Sequence, residues 1–178
     1  DYTFVCYINT TAEVKAACHV CVTSSNVVDI MAKIPNDRIY FLPDRLMGEN
    51  VKNELNTRGI NKDIQVYDGT CYVHETYDPE MIDYIRLQYP DVYILAHPEC
   101  SEHIIAKSDF VGSTSQMINE VAQTDAPRYF LLTECGLSSR LQLEYPQKLF
   151  VGSCTMCKYM KSNTLADIRR VLMSPDPE

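Results

Sequence analysis

Short apolar, β-prone runs alternate with helix-forming text along this whole chain, and a polar turn stands at nearly every junction. Phe4-Val5-Cys6-Tyr7-Ile8 leads into Ala12-Glu13-Val14-Lys15-Ala16-Ala17, which favours a helix. His19 to Val22 leads through the helix-capping residues Thr23-Ser24-Ser25-Asn26 into Val27 to Ile34, whose apolar spacing predicts a helix that Pro35 stops. Arg38 to Leu42 leads through Pro43-Asp44 into a helix ending near Gly59, and Ile64 to Tyr67 leads through Asp68-Gly69-Thr70-Cys71 towards a helix opened by Asp78-Pro79. Strands separated by helices pair in parallel through right-handed crossovers, and ligands of such sheets gather beyond the C-terminal strand ends.

The same order restarts at Asp91. Val92 to Ala96 is followed by His97-Pro98-Glu99-Cys100, Phe110-Val111 by Gly112-Ser113-Thr114-Ser115, Tyr129 to Leu132 by Thr133-Glu134-Cys135-Gly136, and Leu149 to Val151 by Gly152 to Cys157. The serine turns at Ser24 and Ser113 stand 89 positions apart and the cysteine loops at Cys71 and Cys157 stand 86 apart, so two landmarks share nearly one offset. The chain is read as α/β, with two homologous small domains over residues 1–89 and 90–178. Each is expected to be a roughly four-stranded parallel sheet flanked by helices, and the polar signatures fall at the strand ends.

Composition narrows the partners. Sixteen Lys and Arg against twenty-four Asp and Glu give a net charge of −8, and no basic run forms a stripe for phosphates, so nucleic acid is not expected. No stretch reaches the roughly 18 apolar residues of a membrane span, and the opening Asp1-Tyr2-Thr3-Phe4 is neither a signal peptide nor an initiator methionine, so the N-terminus is expected to be cut. Eight cysteines at irregular spacing do not form the framework of a small secreted domain, which favours a reducing cytoplasm.

The loops carry the chemistry. Ser24 and Ser25, and Ser113 to Ser115, precede helices, where hydroxyls and backbone N–H groups can hold a carboxylate or phosphate or can simply cap the helix. His97 and Glu99 close a strand with an imidazole and a carboxylate two residues apart, able to bind a polar substrate or move protons, and Tyr7 and Asn9 hold the equivalent place in the first unit. Cys154-x-x-Cys157 is open to three readings: a redox dithiol, half of a zinc site that Cys71 and His74 could complete, or part of an iron–sulfur site. The feature shared by both repeats is one thiol per loop, Cys71 and Cys157.

Tyr7-Ile8-Asn9-Thr10-Thr11-Ala12-Glu13-Val14-Lys15-Ala16, Cys21-Val22-Thr23-Ser24-Ser25-Asn26, Gly69-Thr70-Cys71-Tyr72-Val73-His74-Glu75, His97-Pro98-Glu99-Cys100 and Asp109-Phe110-Val111-Gly112-Ser113-Thr114-Ser115 resemble, in order, the motifs of quinolinate synthase. Thr133-Glu134-Cys135-Gly136-Leu137 and Cys157-Lys158-Tyr159-Met160-Lys161-Ser162-Asn163-Thr164-Leu165 extend the resemblance over essentially the whole chain. The resemblance implies a cytoplasmic enzyme of NAD biosynthesis that condenses iminoaspartate with dihydroxyacetone phosphate into quinolinate. It further implies three similar α/β domains around a pseudo-threefold axis, each lending one Cys to a [4Fe-4S] cluster whose open iron acts as a Lewis acid.

By position, Cys71 and Cys157 match two cluster ligands. Tyr7, Asn9, Ser24, His97, Glu99 and Thr114 match residues that hold the dicarboxylate or move protons, with Ser113 and His74 as neighbours. Tyr7, His97 and Glu99 are the implied acid–base groups, and Ser24 and Thr114 the anion holders. Cys6, Cys18, Cys21, Cys100 and Cys135 are expected to be packing or incidental thiols, with redox tuning between Cys154 and Cys157 left open.

The family's first domain, with its own cluster Cys, has no counterpart in residues 1–178. The third ligand is therefore expected from that missing domain or from a complementing subunit, the chain alone is expected to be inactive, and exposed interdomain surface is expected to favour self-association. Two other classes stand beside this reading: a non-catalytic module binding dicarboxylates or phosphates through the Ser and His/Glu loops, and a zinc or dithiol redox protein using Cys154 and Cys157.

Overall fold

The structure, a computed structural model, describes residues 1–152 and 154–175. The first sheet is built from β1 (Thr3–Tyr7), β2 (Val20–Val22), β3 (Arg38–Leu42) and β4 (Asp63–Val66), with α1 (Ala12–Ala17), α2 (Val27–Lys33) and α3 (Arg45–Thr57) between them. After α4 (Tyr72–Glu75) and α5 (Pro79–Gln88), the second sheet uses β5 (Val92–Ala96), β6 (Phe110–Val111), β7 (Arg128–Leu132) and β8 (Leu149–Phe150), linked by α6 (Glu102–Lys107), α7 (Thr114–Gln123) and α8 (Cys135–Glu144). A 3-10 turn (Met160–Ser162) and α9 (Leu165–Met173) follow. The sheet orders, β2-β1-β3-β4 and β6-β5-β7-β8, are the same, and every pairing is parallel, as the strand–helix alternation requires.

In the first sheet Val5, Tyr7, Val22, Ile39 and Phe41 form one apolar face, packed by Val27 and Met31 of α2 and by Met47, Val51 and Leu55 of α3. The i, i+4, i+8 spacing in α3 keeps those three on one side of the helix. Gly48 lets α3 lie close on the sheet: a β-carbon there would stand 2.5 Å from Val66 Cγ1 and 2.8 Å from Phe41 Cδ1. Helix α1 buries no residue of its own.

The second sheet is covered on both faces, which is why β5 and β7 read as continuous apolar runs. Ile94, Ala96, Phe130 and Leu132 pack under Ile82 of α5 and Ile104 of α6, together with Tyr77 and Cys100, while Leu95, Tyr129 and Leu131 pack under Met117 and Val121 of α7 and Leu137 and Leu141 of α8. The second core thus draws on Tyr77 and Ile82, which by sequence follow the cysteine loop of the first repeat. Helix α9 stands in the same place after the second cysteine loop, yet its Leu165 and Leu172 are 86% and 78% exposed.

Candidate active site

The C-terminal ends of the two central strand pairs face a common cavity of about 800 Å³, lined by Tyr7, Asn9, Asp44, Cys71, His74, Glu99, Glu134 and Cys157 among others. Tyr7 ends β1, Asp44 follows β3, Glu99 lies beyond β5 and Glu134 beyond β7. Each sheet therefore contributes from the ends where parallel strands present their loops.

Glu99 is the hub, with only 3% of its surface exposed. Its Oε2 lies 3.3 Å from the Tyr7 hydroxyl that donates to it, 3.1 Å from His97 Nδ1 and 3.6 Å from His74 Nδ1. His97 Nδ1 also accepts the Glu99 peptide N–H at 3.4 Å, so ring and carboxyl are held together from both sides of the turn. Burial alone would raise the Glu99 carboxyl. The His97 hydrogen bond, the two imidazoles and the Tyr7 hydroxyl together hold it below the usual carboxylate range, so it is an acceptor at neutral pH. Tyr7 is pushed well above the ordinary phenol range by burial and then by the Glu99 charge, with a hydrogen bond to Ser24 pulling the other way. Tyr7 accordingly keeps its proton and serves as a donor.

His74 and His97 stack with ring centroids 4.9 Å apart. Burial pushes His74 down to about 4, against the pull of Glu99, so its ring is neutral near pH 7. The buried carboxylate Asp44 was not singled out by the sequence. It caps α3 by accepting the Met47 N–H at 2.7 Å and holds the Cys71 loop by accepting the Cys71 N–H at 2.9 Å, while burial pushes it up to about 6. Glu134 sits at the corresponding end of β7, accepts the Gly136 N–H at 2.7 Å and lies 3.3 Å from Lys161 Nζ. The signal for both was present: a carboxylate two residues beyond the third strand of each repeat, at Leu42-Pro43-Asp44 and Leu132-Thr133-Glu134.

Two thiols reach the cavity, Cys71 and Cys157. The Tyr72 hydroxyl ties their loops together, donating to the Met156 carbonyl at 3.3 Å and accepting the Lys158 N–H at 2.6 Å. Cys100 lies buried under the site with its thiol on the Leu132 carbonyl, and Cys6 packs with Cys18 and Cys21 at the first sheet. Cys154 corrects the dithiol reading: it is bonded to Cys135, not paired with Cys157. The reason is local, because the Cys135 N–H donates to the Thr155 carbonyl at 3.1 Å and draws that loop onto the start of α8. Cys135 is thus no incidental thiol, and the four-ligand zinc site of Cys71, His74, Cys154 and Cys157 is not formed.

The anion candidates divide. Asn9 lines the cavity, and Ser24 faces a separate groove of about 610 Å³ with Gly112 and Gln116 while bonding Tyr7. Ser113 spends its hydroxyl in a capping box with Gln116, and Thr114 is exposed in the first turn of α7. Neither Ser113 nor Thr114 lines the cavity of Glu99.

The family model described as quinolinate synthetase A protein matches residues 1–178. The chain belongs to the quinolinate synthase family. Among curated members, quinolinate synthase 2 of Mesorhizobium japonicum is 39% identical over 168 residues, covering 94% of this chain and 50% of that protein. Quinolinate synthase of Fusobacterium nucleatum is 37% identical over 179 residues, covering all of this chain and 58% of that protein, and that of Caldicellulosiruptor saccharolyticus is 38% identical over 175 residues, covering 97% and 56%. The chain therefore spans about half the length of the quinolinate synthases it matches. No helix among the described residues is long and apolar enough to cross a membrane.

The site accepts the thiolate contribution that an iron–sulfur cluster would need from these residues. Cys71 and Cys157 line the cavity, are free, and have their backbones held together through Tyr72. Among the described residues no third thiol lines that cavity.

Proposed function

We propose that this chain supplies two cluster ligands and the acid–base groups of a quinolinate synthase. The reaction condenses iminoaspartate with dihydroxyacetone phosphate to quinolinate, releasing phosphate and two waters, as a step of NAD biosynthesis in the cytoplasm. What carries the reading is one cavity that joins Cys71 and Cys157 to the Tyr7–Glu99–His97 group.

Cys71 and Cys157 would hold a [4Fe-4S] cluster together with a third thiolate from outside residues 1–178. That cluster would supply an open iron able to polarise a substrate oxygen or nitrogen. Glu99, ionised and dry, accepts a proton from the carbon acid or ammonium that must lose one. Tyr7 donates a proton to a departing hydroxyl and is reprotonated through Glu99 along their 3.3 Å contact. His97 keeps Oε2 aimed at Tyr7. Asn9, which lines the cavity, holds the dicarboxylate, with Ser24 bonded to Tyr7 beside it. The Glu99 and His97 side chains are almost wholly buried, which keeps water from competing for these protons.

The test is to combine this chain with the part of the family protein that brings the third Cys, reconstitute with iron and sulfide without oxygen, and measure cluster absorbance and quinolinate. Cluster and product should appear only in the combination, and Cys71→Ser or Cys157→Ser should each remove both. Full product from either serine variant would refute the ligand assignment. A completed protein without cluster or product would leave only the dicarboxylate-binding reading.

A further inference from the structure

Cys6 and Cys21 stand opposite each other on the paired strands β1 and β2. Val5 and Tyr7 turn into the apolar core of the first unit, so by strand alternation Cys6 points from the other face, and Cys21, its register partner, points the same way. Cys18 closes α1 just before β2, and the Cys6 thiol is hydrogen-bonded to both Cys18 and Cys21. The chain between Cys18 and Cys21 is fixed against β1. The His19 N–H donates to the Phe4 carbonyl at 3.0 Å, His19 Nδ1 accepts the Phe4 N–H at 3.0 Å, and the two rings stack. Cys6 is fully buried, Cys18 half-buried and Cys21 exposed, so three free thiols run from the interior to solvent, and none of them lines the cavity of Glu99.

We propose that the sulfurs of Cys6, Cys18 and Cys21 form an all-thiolate site for one soft monovalent ion of the copper(I) class, entered from solvent past Cys21. The donor set selects the ion, because thiolates without nitrogen or oxygen partners favour soft metals. His19 adds no ligand: with Nδ1 accepting from Phe4, its proton sits on Nε2 and no lone pair is left. Spacing separates this reading from a disulfide. Paired strands run about 4.8 Å apart, which sets the Cys6 and Cys21 β-carbons near that distance, wider than the roughly 3.5–4.5 Å a disulfide takes. Three sulfurs around one ion at bonds of about 2.3 Å stand about 4 Å from one another, a span that suits strand neighbours. Cys18 and Cys21 flank Cys6 and close onto the ion, with room to do so at the surface. Burial first, and then the two neighbouring thiols, push Cys6 up to about 12, so a thiolate there needs a cation beside it, and the ion takes the place of the shared protons. The site rests on none of the cluster ligands and stands or falls apart from the cluster reading.

The test is an anaerobic titration with copper(I), using bathocuproine disulfonate as competitor, on the chain carrying Cys71→Ser and Cys157→Ser so that the cavity thiols do not count. One equivalent is expected to bind. Adding Cys18→Ser or Cys21→Ser, both at or near the surface where the fold tolerates the change, should each weaken it at least about tenfold, since a lost ligand costs no less than a lost outer partner of a ligand. Unchanged affinity in either variant overturns the proposal, as does absence of binding. X-ray absorption of the one-equivalent complex reads the donor set directly: three sulfurs and no nitrogen are expected, and a nitrogen neighbour or only two sulfurs overturns it. Alkylation followed by mass spectrometry gives a third readout, in which the ion should protect Cys18 and Cys21 together; protection of Cys135 and Cys154 in their place would put the ion elsewhere and refute the site.

Discussion

The Tyr72 hydroxyl accepts the peptide N–H of Lys158 at 2.6 Å, although the two residues lie 86 positions apart and belong to different repeats. With its bond to the Met156 carbonyl, this one side chain brackets Cys157 from the residue next to Cys71. Tyr72→Phe removes both bonds, each worth about 0.5–1.5 kcal/mol, and should release the Cys157 loop locally without unfolding the sheets. Hydrogen exchange at the Lys158 amide should quicken about 5- to 30-fold. An unchanged Lys158 rate in the variant would show that the hydroxyl holds nothing.

Two buried groups beside Cys71 titrate with opposite consequences. His74 is moved from 6.5 to about 4, so the stability it contributes is complete above pH 6.5 and lost as pH falls towards 4. Asp44 is moved from 3.8 to about 6, so its contribution is complete below pH 3.8 and lost as pH rises through 6. At 1.36 kcal/mol per unit each amounts to about 3 kcal/mol, and between pH 4 and 6 they largely cancel. Urea unfolding of His74→Gln should therefore show stability falling as pH rises from 4 to 6, and Asp44→Asn should show it rising from 4 to 6.5. Parallel profiles for both variants and the parent would contradict the assignment.

Gly48→Ala tests the close seat of α3. Alanine gains about 1 kcal/mol as a helix former, but its methyl meets Val66 Cγ1 at 2.5 Å and Phe41 Cδ1 at 2.8 Å, and overpacking of this kind costs about 1–3 kcal/mol. Net destabilisation is expected by chemical denaturation. A stabilised variant would mean the helix lifts off the sheet without cost.

Tyr7→Phe keeps the ring and removes only the proton donated to Glu99. In the reconstituted, completed enzyme the turnover number should fall about 10²- to 10⁴-fold with cluster absorbance retained. Unchanged turnover would take Tyr7 out of the proton path.

The alternation of strands and helices was legible because β5 and β7 are buried on both faces and α3 repeats its apolar residues every fourth position. Cys71 and Cys157 were legible through their nearly common offset with the serine turns. Asp44 was marked only by its place two residues beyond β3, since an Asp after Pro ahead of a helix reads as an ordinary cap, and only the pairing of β3 with β4 brings the Cys71 loop onto its second oxygen. Tyr72 and Thr133 were hidden for a similar reason: their partners come from the other repeat, and nothing local marks a residue that acts across 59 or 86 positions. The Cys135–Cys154 bond joins a helix start to a loop beyond the next strand, and irregular cysteine spacing carries no trace of it.

Helix α5 follows the first cysteine loop but completes the core of the second sheet, and α9, in the same position after the second loop, leaves Leu165 and Leu172 in solvent. The first unit thus hands its last helix forward to the second. A contact of that kind joins unlike surfaces, a donor edge to an acceptor edge, and repeating it either closes a ring or runs on without end. The same handover makes the two halves poor candidates for separation at Tyr89: a cut there would strip Tyr77 and Ile82 from the sheet they roof, whereas a cut near Thr76 would leave that roof in place.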